Sequence, residues 1–177
     1  MDDQSDNRGD NYLLLGDEVL VRQCDVDRYR GPGPGGQKRN KTSSAVRLRH
    51  RPTGIAVIAT EDRSQHVNKI RAIRRLREAI ALRIRNPIDA PNYEPSELLA
   101  NCIGSDNQIQ IGRRDERFWL VVREILDVLF SCQMHVSEAA DRLGISTAHL
   151  VKFIESNSKL WERVNQLRET AGLKPLR

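Results

Sequence analysis

Residues 31–42 read Gly-Pro-Gly-Pro-Gly-Gly-Gln-Lys-Arg-Asn-Lys-Thr, and no helix or central strand can pass through them. Proline fixes φ and lacks a backbone donor, while glycine opens backbone angles closed to other residues. This stretch is therefore a loop, and the elements on either side must pair around it. Behind the glycines stand one neutral amide, Gln37, and three cations, Lys38, Arg39 and Lys41. A Gly-rich loop with a basic flank suits close backbone approach to a polyanion.

Two familiar Gly-rich loops do not fit. Gly31, Gly33 and Gly36 match GxGxxG, but a dinucleotide site needs a helix opening at the last glycine, and a strand pattern follows here. A phosphate-binding Walker loop needs Lys directly after its second glycine, where this chain has Gln37. A plain linker is also a poor reading, because a patterned segment, Asn40 to Val46, follows at once.

Charge is segregated along the chain. Residues 1–20 are net −5, residues 21–85 net +12 and residues 86–177 net −2. A basic surface without a partner usually mixes its signs, so the middle segment implies an anionic partner, foremost nucleic acid. No apolar run approaches the ~18 residues of a spanning helix, and the acidic start makes a poor signal or transit peptide. Cys24, Cys102 and Cys132 are widely spaced and form no CxxC pair, so no disulfide framework or zinc site is expected. A reducing cytoplasm is the expected setting.

Four regions are expected: a disordered acidic N-terminus at 1–17, a basic domain at 18–86, a linker at 87–112 and a helical domain at 113–177. Residues 18–26 are β-prone. Residues 44–51 alternate, with Val46, Leu48 and His50 on one face and Ala45, Arg47 and Arg49 on the other. Pro52-Thr53-Gly54 is a turn, and Ile55 to Ala59 returns as the second arm of a hairpin. Residues 66–85 carry helical periodicity through Val67, Ile70, Ile73, Leu76, Ile80 and Ile84, with Ser64 as N-cap. Pro87 and Pro91 suggest the boundary. A second amphipathic helix is expected over 114–131, and three short helices over 137–170 with breaks at Gly144 and near Asn157.

Gly33 to Val57 contains Gly-Pro-Gly-Gly-Gln, Asn-Lys-Thr, Ser-Ala-Val-Arg-Leu, His50 and Pro-Thr-Gly-Ile in order. This run resembles the catalytic domain of class I peptide-chain release factors. Arg63-Ser64-Gln65, Asn68-Lys69 and Ala72 resemble that domain's next block. The likeness covers roughly residues 18–82. It implies an α+β fold, a small antiparallel sheet with a packed basic helix, followed here by an all-α module.

The resemblance implies hydrolysis of the ester joining a nascent peptide to tRNA. Gly35, Gly36 and Gln37 would be the catalytic residues, with the Gln37 N–H aimed at the developing oxyanion. The Gln37 side chain is an amide and cannot act as a general base. It would position water, and proton transfer would run through the terminal ribose hydroxyl of the tRNA. No metal or cofactor is implied. Gln37 is a site of N-methylation in the family, so a glutamine methyltransferase is an expected partner. The others are the large ribosomal subunit, its 23S-type rRNA and peptidyl-tRNA; the protein is expected to be a monomer, with no membrane involved.

RNA contacts are expected from Lys38, Arg39, Asn40, Lys41, Thr42, Arg47, Arg63, Gln65, Asn68, Lys69, Arg74 and Arg75. For Asn40 and Asn68, internal bracing is an equal alternative; His50 reads first as structural. Where full-length release factors have His-Val after the glutamine, this chain has Lys38-Arg39, as short rescue-type relatives can. About 20 residues precede the first expected strand, too few for a decoding domain, so codon-independent rescue is expected. The basic tail found in some rescue hydrolases is not evident.

Ser137, Ala140, Gly144, Ser146 and Leu150 have helix-turn-helix spacing. The second helix offers Thr147, His149 and Lys152 against Glu155, thin equipment for a DNA reader. A ribosome- or protein-docking module is the favoured reading of residues 113–177, with Trp119, Phe153 and Trp161 in its core. The alternative for the whole chain is a non-enzymatic RNA- or DNA-binding protein using the basic domain and this module.

Overall fold

The computed structural model describes residues 12–29, 44–89 and 92–177. The chain divides into two compact units, Met1–Arg83 and Ile84–Arg177. In the first unit the order is α1 (Asp17–Arg22), β1 (Cys24–Tyr29), β2 (Ala45–His50), β3 (Ala56–Ala59) and α2 (Gln65–Arg83). The strands form an antiparallel sheet in the order β1-β2-β3. The unit is thus α+β.

The period of two along β2 sorts its side chains. Val46, Leu48 and His50 are buried, while Arg47 and Arg49 face solvent. Ala72, Ile73, Leu76 and Ile80 of α2 complete the same core. Each fully buried Leu or Ile in it is worth about 1.5–3 kcal/mol of transfer free energy. The Pro52–Gly54 turn closes as expected, with Gly54 at φ +68° and its N–H on the His50 carbonyl at 2.8 Å. Ile70, expected in the core, is exposed; the buried stripe runs instead through Asn68, Ala72, Leu76 and Ile80.

The β-prone stretch 18–26 splits into a helix and a strand. Asp17 and Glu18 occupy the first turn of α1 and Arg22 its last, charges that complement the helix dipole. Burial of Leu20 holds the helix down. Residues 12–17, which fall within the expected disordered N-terminus, pack on the first unit. The Tyr12 ring meets His50 edge-on at 4.7 Å. Arg77 donates to the carbonyl of Leu13 at 2.7 Å, to that of Leu15, and to Asp17 at 2.8 Å.

In the second unit the elements are α3 (Glu97–Ala100), α4 (Phe118–Ser131), α5 (Val136–Arg142), α6 (Thr147–Glu155) and α7 (Ser158–Thr170). Residues 92–110, expected to lie within a linker, carry part of this unit's interior. Leu99 and Cys102 are buried, and Glu124 of α4 accepts from Tyr93 Oη at 2.8 Å and from the Ser96 N–H and Oγ at 2.8 and 2.6 Å. One turn on, buried Asp127 meets Arg85 at 3.0 Å and Arg123 at 2.7 Å. Burial pushes its carboxyl up to about 6 although both guanidiniums act to lower it. Between α5 and α6, Gly144 takes φ +69°, a region glycine enters without strain. Ala140 and Leu150 on either side are fully buried, and so is most of Phe153; Trp119 and Trp161 are half-buried.

His50 is fully buried with both ring nitrogens engaged: Nδ1 with Thr53 Oγ1 at 2.8 Å and Nε2 with Gln23 Oε1 at 3.0 Å. The Gln23 oxygen can only accept, so Nε2 carries the proton and Nδ1 accepts from the Thr53 hydroxyl. Burial first, and then the Arg51 charge, lowers the imidazole pKa from 6.5. A base whose folded pKa lies below its unfolded value costs stability once protonated. Unfolding free energy should therefore be constant above the unfolded value and fall as pH drops from 6.5 toward the lower folded value. Urea titrations across that range should show the fall in wild type and a flatter profile in His50→Gln.

Candidate functional site

Strands β1 and β2 are joined through the Gly-rich segment, and their ends meet where Tyr29 pairs with Ala45. Gly35, Gly36, Gln37, Lys38, Arg39, Asn40, Lys41 and Thr42 lie outside the described residues. What the structure defines is the frame from which that segment departs and to which it returns.

The return point is fixed by Asn68. Its Nδ2 donates to the carbonyls of Ser44 and Asp62, both at 2.8 Å, and its Oδ1 accepts from the Asp62 N–H at 3.0 Å. The side chain is fully buried. Of the two roles open to Asn68, bracing is the one its surroundings permit, because no part of the amide faces solvent. Asp62 is itself held: its Oδ1 accepts from the Ser64 N–H at 2.9 Å, and Arg71 approaches its Oδ2 at 3.5 Å. Ser64 receives the Val67 N–H at 3.4 Å, a weak version of the expected cap.

The expected RNA-contacting side chains separate into two groups. Arg47 on β2 and Arg63, Lys69 and Arg74 at and along α2 are exposed, and Gln65 is half-buried at the start of α2. Arg47 stands opposite Asp27 in the strand register, as Arg49 stands opposite Asp25. Arg75 instead turns inward to the sheet edge, donating to the Ile58 carbonyl and to Glu61. Its hydrogen bond is the leading cause that holds the Glu61 carboxyl below the usual range. Arg75 is therefore a strut between α2 and the end of β3. The sequence signal for these contacts is the acidic pair Glu61 and Asp62 just before a basic helix: Glu61 takes Arg75, and Asp62 takes Arg71.

Among the described residues, no group of three or more His, Cys, Asp or Glu side chains is placed to hold a metal ion. None of their helices is long and apolar enough to cross a membrane.

A small antiparallel sheet backed by one basic helix, with a Gly-Gly-Gln segment between its first two strands, defines a class. The sequence model of the RF-1 domain matches residues 18–114, just over half of the chain. The chain belongs to the RF-1 domain family, that of class I release factor catalytic domains. It is 50% identical over 70 residues to peptide chain release factor 2 of Buchnera aphidicola, covering 37% of this chain and 19% of the relative. To peptide chain release factor 2 of Paramagnetospirillum magneticum it is 56% identical over 65 residues, covering 34% and 18%. The match to peptide chain release factor 1 of Caulobacter vibrioides is 36% over 102 residues, covering 56% and 26%. The chain thus spans only about a fifth to a quarter of the length of these relatives.

The two side chains should separate by stability. Asn68→Ala strands three backbone groups, and a buried polar group left unpaired costs about 1–3 kcal/mol. Urea denaturation should show a loss on the order of 2–3 kcal/mol for Asn68→Ala. Arg75→Gln, whose side chain is 41% exposed, should lose far less, since exposed ion pairs contribute little.

Proposed function

We propose that this chain hydrolyses the ester bond of peptidyl-tRNA on stalled ribosomes or split large subunits, without reading a codon. The observation that carries this reading is the intact Gly35-Gly36-Gln37 inside the span matched by the RF-1 domain family. The relatives sharing that span are peptide chain release factors. A protein that merely bound nucleic acid would have no need of this tripeptide.

In the proposed reaction, water attacks the ester carbonyl and the C–O bond to the tRNA ribose breaks. Negative charge gathers on the carbonyl oxygen in the transition state. The Gln37 backbone N–H donates to that oxygen, in a conformation that Gly35 and Gly36 allow. The Gln37 amide side chain orients the water and keeps larger nucleophiles out. The water's proton passes through the terminal ribose hydroxyl to the leaving oxygen, yielding free peptide and tRNA. Lys38, Arg39, Asn40, Lys41, Thr42, Arg47 and Arg63 would hold the segment in the peptidyl transferase centre through contacts with 23S-type rRNA, with Gln65 beside them. N-methylation of Gln37 by a glutamine methyltransferase would restrict its side chain further.

The second unit is assigned to docking. Helices α5 and α6 form a helix-turn-helix-like pair, with Ala140 and Leu150 buried and Gly144 in the turn. His149 is held to the Asn107 carbonyl at 3.0 Å, which leaves α6 with few donors for base edges. A ribosomal or protein surface suits it better than DNA. The protein would act as a cytoplasmic monomer.

Gly36→Ala tests the chemistry apart from the binding. Removing one oxyanion donor costs roughly 3 kcal/mol, or about a hundredfold in rate. Release of labelled peptide from stalled ribosomes should fall by at least that factor, while ribosome affinity stays near wild type. Wild-type turnover in this variant would contradict the proposed role of the loop.

A further inference from the structure

Strand β1 lies at an edge of its sheet and pairs with β2 alone. Its backbone groups alternate between that partner and the open side. The Arg51 N–H meets the Gln23 carbonyl at 3.0 Å, while the His50 N–H turns the other way, to the Ile55 carbonyl at 2.8 Å. Gln23 thus faces β2, and so, at intervals of two, do Asp25 and Asp27. Cys24, Val26 and Arg28 turn their N–H and carbonyl groups to the open edge. The side chains alternate as well. Val26 stands opposite Leu48, on the inner face, yet it is 39% exposed where Leu48 is fully buried. The cause is that α2 lies over β2 and β3. Val19 of α1, the helix that packs against β1, is also exposed. On the outer face Asp25 and Asp27 are exposed. Arg49 and Arg47 stand across from them on β2, and no strand among the described residues lies on their other side.

We infer that the open edge of β1 is a docking site for an extended segment of a partner protein, one that alternates apolar and basic residues. Such a segment would join the sheet as a further strand, its backbone bonded to Val26 and Arg28. The residue paired with Val26 lies on the inner face and covers it. Its two neighbours lie on the outer face against Asp25 and Asp27, where opposite charges on adjacent strands attract. A second copy of this chain is a poor occupant. In an antiparallel pairing of β1 with β1 centred at residue 25, 26 or 27, a carboxylate faces a carboxylate, which is destabilising. The two acids therefore guard the edge against self-pairing and select a basic strand.

The test titrates isotope-labelled full-length protein with a blocked peptide, Lys-Val-Lys-Val-Lys, followed by NMR. Saturable binding is expected, with slowed hydrogen exchange at the amides of Val26 and Arg28. Glu in place of each Lys should weaken binding about tenfold or more. N-methylation of both valines removes the donors that face β1 and should cost about tenfold or more. N-methylation of the central lysine, whose N–H faces away, should leave the affinity near that of the parent peptide. Asp25→Asn/Asp27→Asn should weaken the Lys peptide several-fold; the peptide variants decide the matter even if this protein variant fails to fold. The inference would be overturned by no saturable binding to wild type, by equal affinity for the Lys and Glu peptides, by equal loss from methylation at lysine and at valine, or by protection confined to amides outside β1. A wild-type dimer in sedimentation, with its β1 amides already protected without peptide, would overturn it in favour of a second copy.

Discussion

One buried carboxamide ties the sheet of the first unit to the turn that leads into its long helix. Asn68 bonds the carbonyl of Ser44, where the chain re-enters the sheet, and both backbone groups of Asp62, where it turns into α2. A hydrophobic side chain of the same size would leave all three groups unpaired, and an exposed one would not reach them. The hydrophobic contacts between β2 and α2 set how closely the helix lies on the sheet. The amide sets its position along the sheet, because hydrogen bonds are directional and dispersion contacts are not.

Around that joint the charges divide by what faces them. Glu61 and Asp62 sit at the start of the helix and take up Arg75 and Arg71. Asp17 and two carbonyls of the N-terminal segment take up Arg77. Three of the helix's guanidiniums thereby become internal supports. Net charge alone would have counted them as ligand-binding groups. The second unit uses the same device with deeper burial: Asp127 draws Arg85 and Arg123 together, and Glu124 collects Tyr93 and Ser96. Breaking a buried pair of this kind by removing one partner is costly, whereas exposed pairs are nearly free to lose.

Much of this fold was legible in the sequence where periodicity carried it. The alternation of Val46, Leu48 and His50 with Arg47 and Arg49, the Pro-Thr-Gly turn, and the helix ending near Arg83 all follow from local pattern. The break at Gly144 follows from its φ preference. The misreadings have tertiary causes. Glu18 to Val21 looks β-prone, yet Leu20 finds its burial as part of a helix. Glu124 and Asp127 carry no local mark of burial; their partners Tyr93, Ser96 and Arg85 come from segments far away in sequence. Arg75 lies off the apolar face of its helix, as Arg74 does, and nothing local says that one reaches a sheet edge while the other faces water. Gly35 to Gln37, to which the chemistry is assigned by motif alone, lie outside the described residues.

If phosphate contacts alone position the protein, as proposed, the codon is irrelevant to release. The most direct measurement is the single-turnover rate of peptide release from ribosome complexes that differ only in the A site, with a stop codon, a sense codon or no codon. Equal rates are expected at saturating protein, apart from slowing where downstream mRNA blocks entry. Release confined to the stop-codon complex would contradict the proposal, and would mean that the chain acts with a decoding element.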